Sequence, residues 1–270
     1  MSPIHWWSWK KSNVKETSKN QSKRKVLVIA WWWFRWAYAL WVLKALEKLW
    51  INKEIDAIYW VSIWSIVGAL RASWMKANKI LELLTDISVK DFCGNDILRK
   101  SWWLVSSHRI AWLFDKYMPE DFESLKIPFF AWATDTNTAK FILFNHGNLR
   151  KAVLGSMSIP GFFPPVQYDK YCLIDWFVLN NFPVDLAKKS YPNHEIIWIE
   201  LNPFIPNQKI NTTIDNLTLA FDILMHSNLI KKKKYIDYLL CGDPSMWVLS
   251  LKDDDMVKSF NLWYNEYFLY

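Results

Sequence analysis

Two polar residues, each at the end of an apolar run, are the ones best placed in this chain to do covalent chemistry. Ser62 sits in Trp60-Val61-Ser62-Ile63-Trp64, directly after the apolar run Ile55 to Tyr59. Asp175 sits in Leu173-Ile174-Asp175-Trp176-Phe177, with Asn180 and Pro183 beyond it. A serine that leaves a strand and opens a helix stands beside free backbone N–H groups and the positive end of the helix dipole. To attack an acyl carbon it needs a base, and donors for the oxyanion. Asp175 is the candidate base. The candidate donors are the backbone N–H groups of Trp31-Trp32-Trp33-Phe34-Arg35-Trp36, which follow the apolar run Val26 to Ala30. Arg35 is the side chain able to fix that loop through charge-assisted hydrogen bonds. A lone serine or aspartate mostly caps a helix or a turn. The three features together, each after a strand and in this order, point to acyl transfer.

Both the loop and the serine turn need small residues where the sequence carries indoles. The chain has 20 Trp and 6 Gly, against the roughly 19 Gly that an ordinary 7% usage would give a chain of this length. Read as glycine, residues 31–36 become G-G-G-F-R-G and residues 60–64 become G-V-S-I-G. The first is a glycine loop and the second a nucleophile elbow. Three consecutive bulky residues do not readily form a loop that needs positive φ and close backbone approach to a ligand. The residues two before and two after an elbow serine come close together, so indoles at Trp60 and Trp64 are expected to clash. Two origins account for the pattern: UGA codons that mean glycine read with a table in which they mean tryptophan, or deliberate substitution. Trp74, Trp132, Trp176 and Trp198 also fall at turn-like or strand-end places, so the exchange runs along the chain.

The elements that must position these residues alternate strand and helix. Strands are expected at Lys25 to Ala30, Ile55 to Tyr59, Phe129 to Thr134, Phe141 to Asn145, Tyr171 to Ile174 and Glu195 to Leu201. Helices are expected at Ala37 to Leu49, Ile63 to Ala72, Leu149 to Ser158 and Thr213 to Leu240, with residues 76 to 126 mainly helical. The turn Asp135-Thr136-Asn137-Thr138 joins two strands, and Pro160-Gly161 stops a helix. This alternation argues an α/β fold, with a mostly parallel sheet and helices on both faces. Residues 1–24 read as a disordered polar tail and residues 25–270 as one domain. Basic residues before Val26 to Leu43 imitate a signal anchor, but Arg35 interrupts that stretch and no spanning segment survives.

The net charge is +7, from 33 Lys and Arg against 26 Asp and Glu. Much of the excess lies in Lys10, Lys11, Lys15, Lys19, Lys23, Arg24, Lys25 and in Lys231 to Lys234. These read as a solvated tail and a solvated helix end, or as a means of attraction to anionic lipid at about 1 kcal/mol per basic residue. Nucleic acid is set aside, because the interleaved aromatic residues disappear when Trp is read as Gly. Cys93, Cys172 and Cys241 are far apart, with no C-x-x-C pair. That argues against zinc and a disulfide framework, and fits a reducing cytoplasmic location. No cofactor is expected, and a serine mechanism demands no calcium.

In combination, these motifs resemble the patatin-like phospholipase family over about residues 25–203. The resemblance rests on residues 31–36 and 60–64 read as above, Ala133-Thr134-Asp135-Thr136-Asn137-Thr138, Ser156-Met157-Ser158-Ile159-Pro160-Gly161-Phe162-Phe163-Pro164-Pro165, and Asp175-Trp176 read as Asp-Gly with Asn181 and Pro183 after it. It implies a three-layer α/β fold and a Ser–Asp dyad with Ser62 as nucleophile, Asp175 as base and the backbone of residues 31–36 as oxyanion hole. The implied substrates are membrane phospholipids or other acyl esters, met by peripheral contact at the inner face of a membrane. Phe177 departs from the pattern, standing where a small residue is usual. Two other readings stay open. One is a triad esterase that adds His194 or His226 to Ser62 and Asp175. The other takes every Trp literally and gives an inactive, aromatic-rich, basic protein that binds membrane surfaces.

The codons decide the glycine reading. UGA is expected at positions 31–33, 60 and 64. The native protein should then weigh less, by intact mass, than the 32.3 kDa of the printed sequence. TGG codons at those positions, with the full mass, would overturn it.

Overall fold

The computed structural model of the chain describes residues 23–30, 36–85, 114–161, 163–175, 183–200 and 209–241. Its strands are β1 (Lys25–Ala30), β2 (Ile55–Trp60), β3 (Phe129–Asp135), β4 (Lys140–Phe144), β5 (Val166–Tyr168), β6 (Tyr171–Ile174), β7 (Glu195–Glu200) and β8 (Tyr238–Cys241). Its helices are α1 (Trp36–Lys48), α2 (Ser65–Ala72), α3 (Ala77–Thr85), α4 (Leu149–Ser156), α5 (Val184–Ser190) and α6 (Thr213–Lys232). Strand neighbours run β5-β6-β3-β2-β1-β7-β8, with β4 also on β3. β2, β1, β7 and β8 pair in parallel, as do β2 and β3, whereas β4, β5 and β6 form an antiparallel flank.

The sheet is buried on both sides because its central strands alternate between two apolar clusters. Leu27, Ile29, Ile58, Phe129, Ala131, Ile197 and Ile199 face one core, with residues of α1, α2, α3 and α4. Val26, Val28, Ala57, Tyr59, Phe130, Ile196 and Trp198 face the other, with Val184 and Ala187 of α5. This is the three-layer arrangement expected, and period-2 strands of almost wholly apolar residues are what it requires. The helix starts are specified locally. Asn148 caps α4 by accepting from the Lys151 amide at 2.8 Å, and Thr212 with Asp215 forms a reciprocal capping box on α6.

Several expectations need correction. The helix expected to run from Thr213 to Leu240 stops at Lys232, and a short 3-10 turn at Lys233–Tyr235 leads into β8. Pairing with Ile197 to Glu200 of β7 overrides the helical spacing there. β5 was not expected; its three residues are held by β6. The helix expected from Ile63 begins as a 3-10 turn, Ser62–Trp64, before α2. Of the segment expected to be helical from 76 to 126, residues 86–113 lie outside the described residues, as do residues 1–22 of the expected tail. Arg24, expected in that tail, instead grips the carboxylate of Asp56 through Nε and Nη2. The Val26 to Leu43 stretch divides between β1 and α1, and no helix among the described residues is long and apolar enough to cross a membrane.

The turn after β3 ties the antiparallel flank to the parallel sheet. Asp135 accepts from the Thr138 hydroxyl at 2.6 Å and from the Cys172 amide of β6 at 2.9 Å. The Thr136 amide in turn donates to the Cys172 carbonyl at 2.8 Å. The Thr138 hydroxyl, with the Cys172, Asn137 and Thr138 amides, holds the Asp135 carboxyl below the usual aspartate range, although burial opposes this.

Two tryptophans occupy glycine seats. Trp50 and Trp74 have φ of 61° and 67° and are 66% and 46% exposed. Trp74 follows the C-cap Ser73 of α2; its amide bonds the Arg71 carbonyl at 2.9 Å and the Met75 amide bonds the Leu70 carbonyl at 3.1 Å. That pair of bonds defines a Schellman motif, whose left-handed position is usually glycine. Trp50 holds the equivalent place after α1, its amide bonding the Glu47 carbonyl at 3.1 Å.

Two tests follow from these features. At positions 50 and 74, the glycine variant should be more stable than the alanine variant by about 1 kcal/mol, because both delete the indole and only alanine carries a Cβ in the left-handed region. Equal urea midpoints for W50G and W50A, and for W74G and W74A, would contradict that conformation. Asp135→Asn should lower the urea midpoint at pH 7. A depressed folded-state pKa contributes stability that is complete above the unfolded value of about 3.9 and is lost as pH falls through the folded value. The gap between Asp135→Asn and its parent should therefore narrow below about pH 4.

Candidate active site

Ser62 and Asp175 are brought together by two strands that run head to head along one edge of β3. The Ile58 amide of β2 bonds the Pro128 carbonyl, and the Thr136 amide bonds the Cys172 carbonyl of β6. Backbone groups of alternate residues point to the same edge of a strand. Residues 128 and 136 therefore share an edge, and β4 takes the other. β2 is parallel to β3 and β6 antiparallel, with Tyr59 opposite Phe130 and Ile174 opposite Thr134. The C-terminal ends of β2 and β6 thus enter the same gap beside Ala131 to Ala133. Ser62 arrives from one side and Asp175 from the other.

Both side chains are out of solvent: Ser62 is 3% exposed and Asp175 0%. Ser62 Oγ donates to Asp175 Oδ2 at 2.7 Å. Ser62 has φ 59°, a left-handed conformation uncommon for a residue with a side chain. Its carbonyl accepts from Ser65 Oγ at 2.6 Å and its amide donates to Ser156 Oγ at 3.1 Å. The Asp175 amide donates to the Ser158 carbonyl at 2.8 Å. Sequence reading missed Ser156 and Ser158 as neighbours of the pair. The available signal was two serines flanking Met157, just after the apolar run Ala152 to Leu154.

The elbow forms with both tryptophans in place, which corrects the expected clash. Trp60, 0% exposed, turns its side chain into the first core, and Trp64 is 5% exposed. Room for the Trp60 ring comes from Gly68 of α2: a Cβ there would lie 2.7 Å from Trp60 Cβ and 2.7 Å from Phe129 Cε2. The Trp60 indole has a cost of another kind. Its buried Nε1 has no hydrogen-bond partner, an omission worth about 1–3 kcal/mol.

Of the expected oxyanion segment, Trp31, Trp32, Trp33 and Arg35 lie outside the described residues. Trp36 is the first residue of α1. Ile29 of β1 is in register with Trp60 of β2, so the chain leaves β1 at the sheet end where Ser62 stands. Trp176, Phe177, Asn180 and Asn181 also lie outside the described residues, whereas Pro183 precedes α5.

The other candidate side chains lie elsewhere. His194 Nε2 is 2.9 Å from Asp56 Oδ2, near the start of β2. Ser62 lies past the other end of that strand, six residues on and so about 20 Å away. His226 is on α6, and among the described residues no histidine nitrogen is hydrogen-bonded to Ser62. Lys231 to Lys234 lead into β8, at the sheet end opposite Ser62, and Lys232 pairs with Asp185 at 2.9 Å. Any attraction of those lysines to anionic lipid would therefore act at the end of the sheet away from Ser62. Among the described residues, no group of three His, Cys, Asp or Glu side chains is placed to hold a metal ion.

Known proteins share sequence and fold with this chain. The profile of the patatin-like phospholipase family matches residues 34–188. The patatin-like phospholipase domain-containing protein 6 of Mus musculus is 24% identical over 243 residues, covering 73% of this chain and 17% of that protein. The neuropathy target esterase sws of Drosophila melanogaster is 27% identical over 162 residues, covering 57% of this chain and 11% of that protein. The chain therefore spans less than a fifth of these curated relatives. Among solved structures, VipD from Legionella pneumophila superposes with a TM-score of 0.54 at 10% identity, covering 89% of this chain and 67% of that one. That likeness concerns the fold. With its family profile covering more than half of the sequence, and with Ser62 and Asp175 at the meeting of two strand ends, the chain belongs to the patatin-like phospholipase family.

Proposed function

We propose that this chain is a serine acyl-ester hydrolase acting on lipid esters, with Ser62 as nucleophile and Asp175 as base. The observation that carries the reading is the buried 2.7 Å hydrogen bond from Ser62 Oγ to Asp175 Oδ2. A dyad has no imidazole between nucleophile and carboxylate, so it needs a short contact shielded from water. This contact meets both needs.

The steps balance without a co-reactant other than water. Ser62 Oγ attacks the acyl carbon while its proton passes to the Asp175 carboxylate, giving a tetrahedral oxyanion. Backbone N–H groups of residues 31–33 and the start of α1 are the proposed donors to that oxygen. The intermediate collapses, the C–O bond to the alcohol breaks, and Asp175 returns the proton to the leaving oxygen. Water then attacks the acyl-serine with Asp175 again as base, releasing a carboxylic acid and restoring Ser62. One ester and one water become one acid and one alcohol. Substrate approaches from the sheet end at which β1 and β2 finish, so any peripheral membrane contact that feeds the site belongs to that end. We take residues 25–270 as one catalytic domain working in the cytoplasm.

The decisive experiment uses a chain decoded with glycine at positions 31–33, 36, 60 and 64 and a soluble aryl ester. Ser62→Ala and Asp175→Asn should each lower kcat by about a thousandfold, and the double variant should be scarcely worse than either single one, since residues acting as a unit are non-additive. His194→Ala and His226→Ala should leave kcat within about twofold, as a dyad uses neither imidazole. Half the activity surviving in either dyad variant would sink the assignment, and loss of activity in a histidine variant would restore the triad.

A further inference from the structure

We propose that Ser156 is a positioning residue for the nucleophile: its hydroxyl holds the Ser62 amide and thereby sets the contact between Ser62 and Asp175. The inference rests on the dyad reading above and adds a residue to it.

The elbow conformation must be imposed from outside. A left-handed non-glycine residue is strained and persists only where its surroundings over-determine it. Ser62 Oγ and its carbonyl are held within reach of Asp175 and Ser65. Its N–H, the group whose direction φ sets, is held by Ser156 Oγ at 3.1 Å, across 94 residues of sequence. Ser156 and Ser65 are each 0% exposed, so no water substitutes for this bond.

The same short piece of chain fixes the other partner. Two residues after Ser156, the Ser158 carbonyl takes the Asp175 amide at 2.8 Å. Ser158 Oγ donates to the Leu154 carbonyl at 2.7 Å, which keeps the chain folded back on the last turn of α4. Gly155 packs so closely on β6 that a Cβ there would lie 2.7 Å from Leu173 Cδ1. The end of α4 is thus seated on the strand that carries Asp175 while holding the amide of the residue that carries the nucleophile. The separation of the two reacting oxygens follows from this one segment.

The test compares Ser156→Ala and Ser156→Cys in the glycine-decoded chain. Cysteine keeps the shape of the side chain but accepts a hydrogen bond weakly. Each variant should lower kcat on the soluble ester by about tenfold, the order of one hydrogen bond, with KM within about twofold. The rate of covalent labelling by a fluorophosphonate should fall in parallel. In an Asp175→Ala background, where no contact is left to position, Ser156→Ala should slow labelling by less than about twofold. A purely structural serine would lower the melting temperature without this dependence on Asp175. If Ser156→Ala fails to fold, Ser156→Cys supplies the same measurements. An unchanged kcat in the folded variant, or an equal slowing of labelling with and without Asp175, would overturn the proposal. Activity surviving in Ser62→Ala would instead overturn the dyad reading beneath it.

Discussion

The constraint on which the rest of this structure depends is the shared edge of β3. A strand edge ordinarily takes one partner along its length. Here it takes β2 for its first residues and β6 for its last, and the two partners point at each other. Each stops short because the other is there. The chain must turn away at Ser62 on one side and at Asp175 on the other, so the hydroxyl and the carboxylate meet where backbone pairing has been interrupted. The three-layer packing serves this arrangement. Apolar residues on both faces of β1, β2, β3 and β7 keep the parallel strands in register, and the antiparallel flank fixes the height at which β6 ends. Asp135 is the pin between the two, since it belongs to β3 and holds an amide of β6.

Burial sharpens the chemistry of the pair. In water, a serine hydroxyl and a carboxylate gain little from one another, because each is already solvated. With both excluded from solvent, their hydrogen bond is stronger and an unmatched partner is more costly. The same exclusion explains why backbone groups around the pair are tied down in turn, with Ser65 on the Ser62 carbonyl, Ser156 on its amide and Ser158 on the Asp175 amide. The second polar cluster, Arg24 with Asp56 and His194, lies at the far end of β2. Hydrogen bonding from the Arg24 guanidinium, aided by His194, holds the Asp56 carboxyl below the usual range against the effect of burial. This cluster fastens the entry into the parallel strands and is remote from Ser62.

Much of this was legible in the sequence, and for identifiable reasons. β1, β2, β3 and β7 are short apolar runs with turn residues at their ends, and a strand buried on both faces has no other composition. Ser62 and Asp175 stood out because each is a polar residue at the end of such a run. β5 and β8 were not legible: Val166 to Tyr168 is too short to show a period, and Tyr238 to Cys241 follows a long helical stretch whose spacing it continues. Their partners, β6 and β7, decide them. Ser156 and Ser158 were visible only as letters in a motif, because their meaning lies in contacts with residues 94 positions earlier and 17 positions later. The feared clash at Trp60 and Trp64 was a local argument. Gly68, four residues beyond the elbow, supplied space that no reading of residues 60–64 alone contains.

The left-handed backbone at Trp50 and Trp74 has a practical consequence for anyone who makes this protein. A left-handed helix end is the position at which glycine is usual, and here an indole stands on it. If UGA is the codon there and at Trp31, an expression host that treats UGA as a stop signal releases the nascent polypeptide no later than Ala30, before the first of the described helices. A host that reads UGA as tryptophan makes the full length with indoles at residues 31–33. A synthetic gene with every UGA replaced by a glycine codon gives the chain with glycine at each of those places, and the two helix ends are where that exchange would register first as added stability.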